Sequence, residues 1–89
     1  RMLADLTQLC AIEYAPHLRV NGVSPGPVLP PANDAQGTLE RLAKHVPLRK
    51  TPTPDDVADA VLYLLGAPGV TGQVLNVDGG RHLGKAVYA

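Results

Sequence analysis

The sequence predicts an α/β fold with parallel strands, on three observations. Arg19-Val20-Asn21-Gly22-Val23 is a short apolar run with a β-branched centre that passes straight into Ser24-Pro25-Gly26-Pro27. Gln73-Val74-Leu75-Asn76-Val77 is a second such run, ended by Asp78-Gly79-Gly80. Between them stands a helix with a well-marked start, so a crossover can join the two strands in parallel.

The elements follow in chain order. Met2 to about Tyr14 carries apolar residues at Met2, Leu3, Leu6, Leu9, Cys10 and Ala11, a spacing that predicts one packed helix face, and Pro16 helps to end it. No capping residue precedes Met2, and the chain opens on Arg1 without an initiator Met, so the sequence reads as an excerpt of something longer. Arg19 to Val23 forms the first strand, closed by the Pro-Gly turn. Leu29 to Gly37 is rich in turn residues, and a short helix from about Thr38 to Lys44 follows. At Thr53-Pro54-Asp55-Asp56, Thr53 suits the N-cap and Pro54 the first helical position. The two carboxylates complement the positive end of the helix, and Asp56 completes a capping box. That helix runs through Val57, Val61, Leu62, Leu64 and Leu65 and stops at Gly66-Ala67-Pro68-Gly69. After the Thr71-Gly72 turn comes the second strand.

Composition narrows the function. The 89 residues include nine Pro, nine Gly and neither Phe nor Trp, so Leu, Val, Ile and Ala must build a thin core. Eight basic and eight acidic residues are mixed along the chain, leaving no basic face for a phosphate backbone, and nucleic acid is not expected as a partner. No apolar run approaches the roughly 20 residues needed to cross a bilayer. Cys10 is the single cysteine and closes no internal disulfide, which fits a reducing, cytoplasmic setting. His17, His45 and His82 lack metal-ligand spacing, so no metal is expected.

Five strings in order carry a family resemblance: Leu3-x-x-Leu6-Thr7, Glu13-Tyr14-Ala15-Pro16, Arg19-Val20-Asn21-Gly22-Val23-Ser24-Pro25-Gly26, Thr53-Pro54-Asp55-Asp56-Val57-Ala58, and Thr71-Gly72-Gln73-Val74-Leu75-Asn76-Val77-Asp78-Gly79-Gly80. Together they resemble the carboxyl-terminal third of the short-chain dehydrogenase/reductases. Pro25-Gly26-Pro27-Val28-Leu29-Pro30-Pro31 and the ending Asp78-Gly79-Gly80-Arg81-His82-Leu83 are similar to the pteridine reductase and dihydromonapterin reductase branch. The resemblance implies residues 1–89 as the carboxyl-terminal segment of one Rossmann-type domain, a doubly wound parallel sheet with NADP, or alternatively NAD, across the carboxyl ends of its strands. It also implies a homo-oligomer, a tetramer, acting on a small molecule.

The family's Gly-rich turn and its Asn-Ser-Tyr-Lys set are not in this sequence. The usual spacing puts the catalytic Lys immediately before Arg1, so no catalytic residue is expected here. Tyr14, Tyr63 and Tyr88 do not replace the missing Tyr, since none is followed four residues later by Lys.

What the resemblance leaves is a cofactor-facing turn formed by Pro25, Gly26, Val28 and Leu29. A carboxamide offers one acceptor and two donors, so the backbone N–H and C=O of one residue, Val28, would hold the nicotinamide in a fixed orientation. Pro27 and Pro30 have no N–H, and Gly26 lets the chain approach a flat ring closely. A branched side chain at Gly26 is accordingly expected to harm cofactor binding before folding. The family often has Thr where Pro30 stands, and that hydroxyl contact is lost. The excursion from Leu29 to Arg49 corresponds to the family's substrate loop, with Pro30, Leu39, Leu42 and Val46 placed to cover the ligand.

Other residues take structural readings. Asn21 is expected to hydrogen-bond neighbouring backbone, Asp78 to make the turn after the last strand, and Cys10 to pack as a small side chain. Two functions of different classes stand: the carboxyl-terminal part of an NADP(H)-dependent reductase donating hydride to C=O or C=N, a pterin being one such substrate, or a non-catalytic assembly module of the same fold. Within the first, 3-oxoacyl carrier-protein reductases and sugar or steroid dehydrogenases compete with the pterin reading.

Overall fold

A computed structural model describes residues 2–26, 28 and 37–84. The elements run α1 (Met2–Tyr14), β1 (Gly22–Pro25), α2 (Thr38–Ala43), α3 (Pro54–Leu65), β2 (Val74–Val77) and a 3₁₀ turn, Arg81–Leu83. The two strands pair in parallel with Gly22 opposite Val74 and Pro25 opposite Val77, as a helical crossover requires.

Side chains alternate across the sheet, and the helices divide between its faces. Gly22, Ser24, Val74 and Asn76 face α1, where the Thr7 hydroxyl lies 3.4 Å from the position a Gly22 Cβ would take. Val23 lies with Val61 and Leu64 of α3 on the other face. The result is a three-layer α/β/α arrangement around two strands.

The first strand starts later and ends later than its apolar run predicts. Residues 19–21 are taken up by long-range bonds instead of a ladder. Asn21 Nδ2 donates to the Val70 carbonyl at 3.0 Å, and its Oδ1 accepts from Gln73 N–H at 3.0 Å. Val20 N–H donates to Thr71 Oγ1 at 3.1 Å. The ladder opens only at Gly22, whose N–H reaches the Gln73 carbonyl at 2.8 Å, and it continues to Gly26, whose N–H reaches Val77 at 2.9 Å. Pro25 therefore sits inside the strand and not in a turn. Ladder donors alternate, so the nitrogen of Pro25 points away from β2 and its missing N–H costs nothing there.

Helix α1 also packs differently from the predicted stripe. Its buried residues are Thr7 and Ala11, while Met2 is 84% and Ile12 76% exposed and Leu6 and Leu9 also face outward. Small side chains let the helix approach Gly22 and Gly72 closely, with Ala11 Cβ 3.5 Å from the Cβ position of Gly72. Thr7 satisfies its hydroxyl on the Leu3 carbonyl at 2.7 Å.

Helix α3 forms as its sequence dictates. Thr53 Oγ1 accepts from Asp56 N–H at 3.1 Å, and Asp56 Oδ2 accepts from Thr53 N–H at 2.9 Å, a complete capping box. Its carboxyl end is closed by a distant residue: Arg19 Nη1 donates to the carbonyls of Leu64 and Ala67, both at 2.8 Å, and Nη2 to that of Leu65 at 3.0 Å. A guanidinium suits that end twice, by satisfying orphan carbonyls and by complementing the negative pole of the helix.

Candidate functional site

Parallel strands end together, and beyond their carboxyl ends the two chain segments separate and leave main-chain groups unpaired. Here β1 ends in Pro25 and β2 in Val77, and the last bond between them is spent by Gly26 N–H. Two residues further, Val28 is half-buried, and among the described residues its N–H and C=O have no partner. Of the four residues assigned to the cofactor, the structure describes Pro25, Gly26 and Val28 at this edge; Leu29 lies outside the described residues, as does Pro30 of the loop.

Gly26 owes its identity to a protein neighbour. Its φ is not positive, so no left-handed conformation demands glycine. A Cβ there would meet Asp78 Cβ at 2.9 Å and Asp78 Cα at 3.0 Å, closer than packed side chains allow. The close approach that glycine permits is thus to the end of β2, and the expectation that a side chain at Gly26 would disturb cofactor binding before folding is corrected on that ground.

Asp78 is the second centre of this edge, and it is buried. Its Oδ1 accepts from Gly80 N–H at 3.0 Å and its Oδ2 from His82 N–H at 3.1 Å. His82 Nδ1 lies 2.9 Å from Oδ1 and 3.1 Å from Oδ2; an ionised carboxylate has no proton to give, so the imidazole donates. Burial pushes the Asp78 carboxyl up, but the His82 side chain and the N–H groups of Gly80 and His82 outweigh it and hold it below the ordinary carboxylate value. The expected turn after the last strand is present, and the bond to His82, whose only signal in the sequence is the four-residue spacing, adds a side-chain tie to it.

The excursion returns to the same turn. Leu39 and Leu42 are half-buried on α2. Val46 is only 3% exposed and packs against Gly79, where its Cγ2 would lie 3.3 Å from a Cβ. Placed by its sequence over the ligand, it instead anchors the end of the excursion, because Gly79 opens the room it fills. Leu48 N–H donates to the Gly79 carbonyl at 3.0 Å and completes the seam. A concavity of about 350 Å³ lies behind this turn, between Leu48, Lys50, Pro52, Asp56, Asn76 and Gly80. Neither Gly26 nor Val28 lines it. Among the described residues no group of His, Cys, Asp and Glu could hold a metal, and no helix is long and apolar enough to cross a membrane.

Known proteins match this chain over most of its length. The family described as enoyl-(acyl carrier protein) reductase matches residues 1–82. A Streptomyces violaceoruber protein named for a ketoacyl reductase of the granaticin polyketide synthase is 47% identical over 81 residues, covering 86% of this chain and 32% of its own. Among solved structures, an alternative dihydrofolate reductase of Brucella canis, complexed with NADP, superposes with a TM-score of 0.81 at 35% identity, covering 92% of this chain and 32% of that one. An oxidoreductase of the short-chain dehydrogenase/reductase family from Burkholderia thailandensis gives a TM-score of 0.81 at 41% identity, over 97% of this chain and 37% of that one. The chain spans about a third of the length of the curated relatives it matches. Fold and sequence agree, and the chain belongs to the short-chain dehydrogenase/reductase family.

Proposed function

We propose that residues 1–89 are the carboxyl-terminal segment of an NADP(H)-dependent reductase, and that the main chain of Val28 orients the nicotinamide carboxamide. The observation that carries this reading is the pair of groups on Val28, one donor and one acceptor, unpartnered among the described residues and lying just beyond the last ladder bond of a parallel pair. A carboxamide needs that combination. Neighbouring donors are already committed: Gly26 N–H is bound to Val77, and Pro25 and Pro27 have none.

NADP(H), when bound, supplies the hydride. Val28 fixes which ring face is presented, Leu29 adds a second local N–H, and Pro25, as the last residue of β1, and Gly26 set where Val28 stands relative to the strand ends. Leu39 and Leu42, with Pro30, form the apolar side toward the substrate. The proton donor and its lysine belong to a part of the protein that precedes this segment. The substrate is a C=O or C=N compound. The ketoacyl reductase name of the Streptomyces relative favours the first, and the dihydrofolate reductase name of the Brucella structure, together with the Pro25 to Pro31 string, favours a pterin. The same reading takes the protein as a cytoplasmic homo-oligomer, a tetramer.

Titration of the full-length protein with NADPH tests the role of Val28. Val28→Pro, which deletes the N–H, should weaken binding at least about tenfold, or ~1.4 kcal/mol. Val28→Ala should change it by less than about threefold, since only a modest apolar contact is lost. If the Ala variant fails while the Pro variant binds like the parent, the side chain holds the ring and the reading is wrong. NADPH oxidation assayed with a 3-oxoacyl thioester and with dihydropterin then separates the two substrate classes, and inactivity with both at full cofactor affinity points to the assembly module.

A further inference from the structure

Asp78 carries more bonds than a strand-ending turn requires. A backbone turn closes with one or two N–H groups on the carboxylate; here a side chain from four residues on is added at 2.9 Å. The Asp78 side chain is 10% exposed and that of His82 32%, so the pair reaches from the interior to the surface. On its far side the turn is wedged. The Cβ position of Gly79 lies 2.7 Å from the Lys50 carbonyl, and that of Gly80 lies 2.9 Å from Pro47 Cγ. On its near side the Cα and Cβ of Asp78 sit directly against Gly26, at 3.0 and 2.9 Å from its Cβ position. The turn is thus packed closely on both sides, against Lys50 and Pro47 behind and Gly26 in front, and Gly26 is two residues from Val28.

We propose that His82 is a positioning residue: by holding the Asp78 carboxylate it sets how Asp78 presses on Gly26, and so fixes the main-chain groups of Val28 that meet the cofactor. The inference rests on the reading of Val28 given above.

The experiment uses the full-length protein and NADPH as the probe. His82→Ala removes the tie while leaving both backbone bonds to Asp78. His82→Asn places an amide N–H near the former Nδ1 and should restore it. We expect His82→Ala to raise the NADPH dissociation constant about tenfold in a protein still folded by circular dichroism, and His82→Asn to recover most of that loss. A role in stability alone would lower the melting temperature without moving the dissociation constant, which would overturn the inference. Equal weakening by Ala and Asn would overturn it too, because the donor would then be irrelevant. Val28→Pro serves as the separating control. If it weakens NADPH binding while His82→Ala does not, the positioning role alone fails; if Val28→Pro has no effect, the assignment of Val28 fails first and this inference with it.

Discussion

Gly26 shows how a residue that looks functional by sequence is held by packing. Adding a Cβ at 2.9–3.0 Å from Asp78 Cβ and Cα forces backbone to move, because the neighbour is not the far end of a flexible side chain. Gly26→Val in the full-length protein should therefore cost about 1–3 kcal/mol of stability, read from urea denaturation. An unchanged midpoint with weakened NADPH binding would return the glycine to the cofactor. Asp78 makes a second test at this scale, through its proton. Its folded value lies below the unfolded one, so the native state binds fewer protons there. The stability it contributes is complete above about pH 4 and is lost as the pH falls through the folded value. Urea midpoints measured from about pH 5 down to pH 2 should fall more gently in Asp78→Asn, which is less stable at the upper end, than in the parent.

At the scale of elements, helix α3 depends on one cap written locally and one supplied from afar. Thr53→Ala breaks the capping box and should cost about 1 kcal/mol. Arg19→Ala leaves the carbonyls of Leu64, Leu65 and Ala67 to water and should cost about 1–2 kcal/mol, low in the range for charged hydrogen bonds because the site is largely open. Arg19→Lys should recover little, since one ammonium does not span carbonyls that the two guanidinium nitrogens reach together. The contrast explains what the sequence makes legible. The box at Thr53 and Asp56 spans four residues, and local chemistry alone predicts it. The shift of β1 from Arg19–Val23 to Gly22–Pro25 has causes about 50 residues away, in Val70, Thr71 and Gln73, which no local pattern reveals. In α1 the periodicity finds the helix, but this sheet uses only part of the predicted stripe: Ala11, which belongs to it, and Thr7, which does not, are buried, while Met2, Leu6 and Leu9 face outward. At the site, the strand-end turn is readable as an apolar run broken by Pro and Gly, whereas the contact of Gly26 with Asp78 exists only once β1 and β2 are paired.

Taken whole, the molecule exposes what an α/β domain hides. Its accessible surface is 6484 Å², where a compact protein of this length shows roughly 5000 Å². The radius of gyration is 15.3 Å, against roughly 12 Å for a compact domain of the same size. Ala11, Val46, Pro52 and Leu64 are the buried apolar residues among those described, and α1 and α3 turn Leu6, Leu9, Ile12, Leu62 and Leu65 outward. Two strands with a helix on each face cannot enclose a core, because each helix has a second apolar side that this sheet does not reach. Each exposed Å² of that surface forgoes about 25 cal/mol of burial, so the 89 residues on their own should associate or remain loosely packed. Calorimetry and sedimentation on the isolated chain provide the check. Broad, weakly cooperative unfolding with concentration-dependent association is the expected result. A sharp transition from a monomer would mean that the thin core suffices, and that the outward apolar faces are not waiting for further protein.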